Sequence, residues 1–129
     1  MRFVEEDDEI VLYLEEQDTV RRIHMTNAGE AGRGTPLGHS VGRWEENTLV
    51  VATTDVDWPW FDQSGVPQSR DVEFIERFTL SPDNRALTYS ITVTDPATFT
   101  EPVTLERYWI WVPGEQIRPY DCTWDRDDL

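Results

Sequence analysis

The sequence predicts an all-β fold: a small antiparallel up-and-down β-barrel of seven or eight strands, lipocalin-like in shape. Three observations lead there. Short runs rich in Val, Ile, Thr and aromatic residues alternate with turn signals along the chain. No stretch of a dozen residues has helical periodicity. The runs are joined mostly by hairpin-length connections, and a meander of that many strands in 129 residues must close or fold on itself to protect its edges. A sandwich or a half-open sheet is the alternative architecture.

Taken in order, "EIVLYLEEQDTVRRIHM" (Glu9 to Met25) reads as a hairpin around a polar turn at Glu16 to Asp18. "NAGEAGRGTPLG" (Asn27 to Gly38) is rich in Gly and carries a Pro, so it is loop. "HSVGRW" and "NTLVVATT" make a second hairpin around Glu45 to Asn47. "DVDWPWFDQSG" (Asp55 to Gly65) has neither strand alternation nor helical period, and its loop runs on to about Ser69. "RDVEFIERFTL" and "RALTYSITVT" form a third hairpin around "SPDN" (Ser81 to Asn84), a strong turn signal. Pro96 and Pro102 break "DPATFTEP" as another loop. "VTLERYWIWV" is the final long strand, and "PGEQIRPYDCTW" adds a short last one.

Period-two reading sorts the strands into faces. One face carries Val72, Phe74, Glu76 and Phe78; another carries Leu87, Tyr89, Ile91 and Val93; a third carries Val103, Leu105, Arg107, Trp109 and Trp111. These are the apolar faces, so Glu76 and Arg107 are both expected inside. A buried charge is costly unless paired. Two readings follow: a structural Glu76–Arg107 ion pair with Tyr89 nearby, or a ligand cavity. In the cavity Glu76 would act as a base with a pKa raised by desolvation, and Arg107 would hold an anionic group.

Composition removes several functional classes. The chain is one domain, residues 1–129, with acidic termini and a net charge of −15 from 26 acids against 11 basic residues. Nucleic acid and anionic membrane are therefore not expected partners. Cys122 is the single cysteine, so no intrachain disulfide is possible, and it reads as a small structural residue. No apolar run has the length of a membrane span, and no basic-then-apolar leader opens the chain. The expected location is cytoplasmic, with a mature exported form as the alternative.

The histidines, His24 and His39, each sit near a strand end. No H-x-H, H-x-x-x-H or C-x-x-C spacing marks a zinc site, so neither metal nor cofactor is expected. "GHSVG" lacks the strand–turn–helix context of a nucleophile elbow, and "GEAGRG" lacks the Walker spacing and its lysine. What remains is acid–base chemistry: His39, Asp62 and Glu76 as proton carriers, with Asp62 able to hold His39; the alternative for His39 is a satisfied structural residue. Trp44, Trp60 and Trp109 would shape a pocket, and Tyr89 or Arg107 would stabilise a developing oxyanion.

The segments "VRRIHM", "PLGHSVGRWEENTLVVATT", "WFDQSGVPQSRDVEFIERF" and "ITVTDPATFTEP", spanning Val20 to Pro102, resemble a family of β-rich bacterial proteins of unassigned function. Its pattern runs "VRRI", "GHSIGRWEGDTLVV", W-L-D-x-x-G-x-P-x-S, "ERF" and "DDP" followed by Y-T-x-P. The resemblance falls on Arg21, Gly38, His39, Ser40, Gly42, Trp44, Trp60, Asp62, Gly65, Ser69, Glu76 and Asp95, among others. The chain departs from it at "ENTL", where the pattern has "GDTL", and at Gln68, where the pattern has a histidine. The resemblance marks positions and implies no reaction.

Two functional expectations follow. The first is a cofactor-independent acid–base enzyme of isomerase, cyclase or lyase type, acting on a small, largely apolar substrate, as in a biosynthetic tailoring step. The second is a non-catalytic, lipocalin-like binding protein for a small hydrophobic or amphipathic ligand. Homodimerisation is left open. The long aromatic loop is expected to lie at the mouth of the cavity, since long loops in compact domains tend to be lids or binding loops.

Overall fold

The computed structural model describes residues 1–26 and 29–121. Eight strands form one sheet: β1 (Arg2–Glu6), β2 (Glu9–Leu14), β3 (Thr19–His24), β4 (His39–Glu45), β5 (Thr48–Thr54), β6 (Glu73–Leu80), β7 (Ala86–Thr94) and β8 (Val103–Ile110). They lie side by side in chain order, and the sheet curls into a half-barrel, consistent with a small up-and-down barrel. Every neighbouring pair is antiparallel except β3 and β4, which touch in parallel at His24 and Val41. The glycine-rich loop explains the exception: it crosses from the end of β3 back to the start of β4, where a tight turn would have reversed the chain. No helix among the described residues is long and apolar enough to cross a membrane.

Three predicted hairpins, β2–β3, β4–β5 and β6–β7, are present with turns where the polar residues stand. In the last, the Ser81 hydroxyl donates to Asp83 (2.6 Å), and the Arg85 amide donates to the Asp83 carboxylate (3.1 Å). Strand β1 was not expected, because Glu5 to Asp8 make the start of the chain read as an acidic terminus. Phe3 decides otherwise: its ring meets Phe78 edge-on at 5.4 Å and anchors β1 to the core. The stretch after β8 forms no strand up to Asp121. There the amides of Arg118 and Tyr120 donate to the carboxylates of Glu15 (2.9 Å) and Asp18 (2.8 Å) in the β2–β3 turn. Cys122 and the rest of that expected strand lie outside the described residues.

Register fixes the concave face. Ile10 pairs with Ile23, Gly42 with Val51, Val51 with Glu76, Glu76 with Ile91, and Tyr89 with Arg107. Since directly opposed residues share a face, the period-two assignment for β6, β7 and β8 holds. The central core on this face is Ile10, Ile23, Leu49, Val51 and Phe78, with Met25, Leu87 and Tyr89 against it. A second cluster, Val56, Val72 and Val93, packs with Phe61, Phe74 and Phe99 beneath the long loop. Each such side chain, when fully buried, contributes about 1.5–3 kcal/mol. Between first and last strands the sheet does not close, so β1 and β8 are its edges.

Two positions in the β4–β5 hairpin show how tightly the backbone is specified. At Gly42 a Cβ would stand 2.7 Å from Met25 Sδ and 2.8 Å from Ile23 Cγ2, so only glycine lets β3 and β4 approach. Glu46, in the turn, has φ of 56°, a left-handed conformation that favours glycine. The family-like pattern has glycine at that place. Substitutions at the two sites should have opposite signs. Glu46→Gly should raise unfolding stability by about 0.5–1 kcal/mol, and Gly42→Ala should lower it by about 1–3 kcal/mol. Urea midpoints read both.

Candidate functional site

The concave face is not uniformly apolar. Arg21, on β3, points inward opposite Leu12 and reaches across the curl to Glu76 on β6. The guanidinium forms a two-pronged pair, Nη1 to Oε2 at 2.9 Å and Nη2 to Oε1 at 2.5 Å. Nη2 also donates to Ser40 Oγ (3.1 Å) and Thr53 Oγ1 (3.0 Å), which bond each other at 2.8 Å. The Tyr89 hydroxyl donates to Glu76 Oε2 at 2.8 Å. Five side chains from β3, β4, β5, β6 and β7 thus share one network, and no buried side-chain polar atom among the described residues lacks a partner. Both ions are largely buried, with side chains 13% and 7% exposed.

The electrostatics follow. Burial alone would push the Arg21 guanidinium down, but the charge and hydrogen bonds of Glu76 outweigh it and raise it. Burial first, then the negative Glu76, pushes the Tyr89 phenol well above its ordinary value. Tyr89 is therefore a fixed hydrogen-bond donor and not a proton source near neutral pH. The Glu76 oxygens are committed to Arg21 and Tyr89. Arg107 is not the partner of Glu76, contrary to the first of the two sequence readings. It lies on the inner face opposite Tyr89 but is exposed, because β8 is an edge strand and the unclosed sheet leaves its inward side chains in solvent. Its charge still acts on Tyr89, favouring the ionised phenol weakly.

Above this network the loop Asp55–Ser69 folds on itself. Trp60 bridges Pro67, the Phe61 amide donates to Val66 O (2.7 Å), and the Gln68 amide donates to Pro59 O (2.9 Å). Gln68 Nε2 donates to Trp58 O at 2.8 Å, so the residue standing for the pattern's histidine braces the loop. Asp62 accepts from the Ser64 hydroxyl (2.6 Å), the Ser64 amide (2.9 Å) and the Val66 amide (3.4 Å). The Ser64 hydroxyl above all, helped by these amides, holds its carboxyl below the usual aspartate value. Asp62 is an Asx-turn residue that shapes the loop. Asp95, buried at the start of the β7–β8 loop, ties the far end down. It accepts from the Ser69 amide (2.7 Å), the Ser69 hydroxyl (2.6 Å) and the Thr98 hydroxyl (3.0 Å).

Folded in this way, the loop roofs a cleft of about 700 Å³. Trp58, Trp60 and Phe61 form one wall, Leu14, Leu37 and Ile91 line it elsewhere, and Arg21 and Glu76 floor it. Trp60 is 49% exposed, so it faces the cleft and does not plug it. The structure therefore brings together Trp60, Asp62 and Glu76, with Tyr89 bonded beneath. It does not bring His39 to them. His39 occupies an odd position of β4 and points to the convex face, where Nδ1 meets Ala31 O at 2.5 Å and the ring stacks on His24 at 6.0 Å. There it pins the glycine-rich loop, and Asp62 does not hold it. Trp44 and Trp109 line a second cleft, at the opposite end of the concave face.

Sequence reasoning missed Arg21, Ser40 and Thr53 as the partners of Glu76. Two adjacent arginines look like a solvated pair, yet alternation sends Arg22 outward to Glu9 (2.7 Å) and Arg21 inward. The signal was available: Arg21 stands between Thr19 and Ile23 on the inward set of β3, and it belongs to the family-like pattern. No family model matches the chain, and no curated protein or solved structure matches it.

The Asp95 clamp predicts a pH signature. Burial opposes its charge, but the Ser69, Thr98 and Ala97 hydrogen bonds prevail and lower its pKa in the folded state. Its stabilisation is then present above the unfolded aspartate value of about 3.9 and lost as pH falls through the lower folded value. Asp95→Asn should be less stable than the parent at pH 7, with a smaller further loss between pH 5 and pH 2.5. Denaturant titrations across that range measure it.

Proposed function

We propose that the chain is a small-molecule binding protein whose ligand, small and amphipathic, enters the cleft beneath the aromatic loop. One observation carries this reading: an apolar-walled cleft stands open over a polar floor whose groups are already paired to one another. A cleft of this volume lies in the range of about 300–1,000 Å³ typical of ligand sites, mostly apolar with a few placed polar groups. The half-exposed Trp58 and Trp60 are held by backbone bonds of a self-braced loop, so their exposed rings are a preorganised surface. The Thr53 hydroxyl, which lines the cleft, retains acceptor capacity toward a ligand polar group.

The acid–base reading has one observation in its favour, the presence of Asp62 and Glu76 on the same cleft. Against it stands the commitment of both carboxylates to internal donors, and the place of His39 on the other face of the sheet. A proton-transfer mechanism on this scaffold would need a ligand that displaces Tyr89 or Arg21 from Glu76.

A neutral fluorescent amphiphile, N-phenyl-1-naphthylamine, provides the test. The parent protein should bind it saturably at micromolar concentration, and Trp60→Ala should weaken binding about tenfold, equivalent to about 1.4 kcal/mol. His39→Ala, once shown to be folded, should bind as the parent does. Absence of saturable binding, or loss of it in His39→Ala alone, would overturn the proposal.

A further inference from the structure

The second cleft, about 840 Å³, lies at the end of the concave face that carries the β4–β5 and β6–β7 turns, and its lining reaches from β1 to β8. Phe3 on β1 and Trp109 on β8 stand on its two sides, with Phe78 and Leu87 between them. Its base is a chain of ring contacts across four strands: Phe3 to Phe78 at 5.4 Å, Phe78 to Tyr89 at 4.9 Å, and Tyr89 to Trp109 at 5.3 Å. An apolar chain laid there would cover side chains that a closed barrel would cover with its own strands.

The lip is polar and asymmetric. Glu5 is on the β1 side, and Arg85 is at the end of the β6–β7 turn, with Asn47 and Asn84 between strands. In so acidic a chain most described arginines reach a carboxylate. Arg85 makes no such ion pair among the described residues, although Asp83 is two positions away: that carboxylate instead accepts from Ser81 and from the Arg85 backbone amide. Arg107, the inner-face residue next to Trp109 on β8, is likewise without a carboxylate partner among the described residues. Of these two arginines, Arg85 lines the cleft, at the β6–β7 turn, while Glu5 lines it on the β1 side.

We infer that this cleft is a separate binding site for an amphiphile with a single apolar chain and an anionic headgroup. The chain lies over Phe78, Leu87 and Trp109, and the head meets Arg85, away from Glu5. Chain burial supplies affinity, and the arginine supplies the sign of charge that is accepted. The site differs from the cleft under the aromatic loop in position, residues and ligand charge, so it stands or falls independently of that reading.

Isothermal titration calorimetry with three twelve-carbon probes tests it: dodecanoate, dodecan-1-ol and dodecyltrimethylammonium. Dodecanoate should bind one per chain, about tenfold tighter than the alcohol, with the cation weakest. Arg85→Gln, an exposed substitution, should remove the preference for dodecanoate and leave the alcohol's affinity within about twofold. Trp109→Ala should weaken dodecanoate and alcohol alike, whereas Trp60→Ala should change neither. Equal affinity for the three probes, a preference that survives Arg85→Gln, or weakening by Trp60→Ala would overturn the proposal. So would sedimentation of the parent as a dimer that binds no probe, since a second copy would then occupy the cleft.

Discussion

The Arg21–Glu76 pair is the constraint on which the concave face depends. It joins β3 to β6, two strands separated in the sheet by β4 and β5, and so it spans the curl and does not follow the ladder. Ion pairs this well buried are not strong net sources of stability, because desolvation offsets most of the attraction. What they impose is geometry. A guanidinium fork, two hydroxyls and a phenol must all meet one carboxylate, and only one curvature of the sheet allows it. The pair also keeps the middle of the face from collapsing into a continuous apolar core, leaving a cleft on its loop side.

Much of this was legible in the sequence. Alternation in β6, β7 and β8 named the inward residues correctly, including the two charged ones, because a half-buried strand has no other period. It named Glu76 as buried and Tyr89 as its neighbour. It could not say how far the sheet closes. Closure depends on strand tilt and stagger, summed over all strands, and single residues do not encode it. For that reason Arg107 and Trp109 were placed on the right face but given the wrong burial.

His39 shows a different limit of the pattern. In "GHSVGRW" either parity of the strand is chemically sensible, and the histidine drew the functional reading. The structure gives the inward positions to Ser40 and Gly42, whose small size admits Arg21 and the crossing strand β3. His39 faces out to secure the glycine-rich loop. The acids of the long loop divide in the same way. Asp62 and Asp95 are saturated by local donors and shape the loop, which leaves its tryptophans as the exposed chemistry.

A double-mutant cycle across Arg21 and Glu76 tests the central claim most directly. Unfolding free energies would be measured for Arg21→Met, Glu76→Met and the double variant. Each single change strands a buried partner and should cost about 3–5 kcal/mol, while the double change removes both charges and should cost less than the sum. A coupling of about 2–3 kcal/mol is the predicted result. Additive losses, within about 0.5 kcal/mol, would contradict the account.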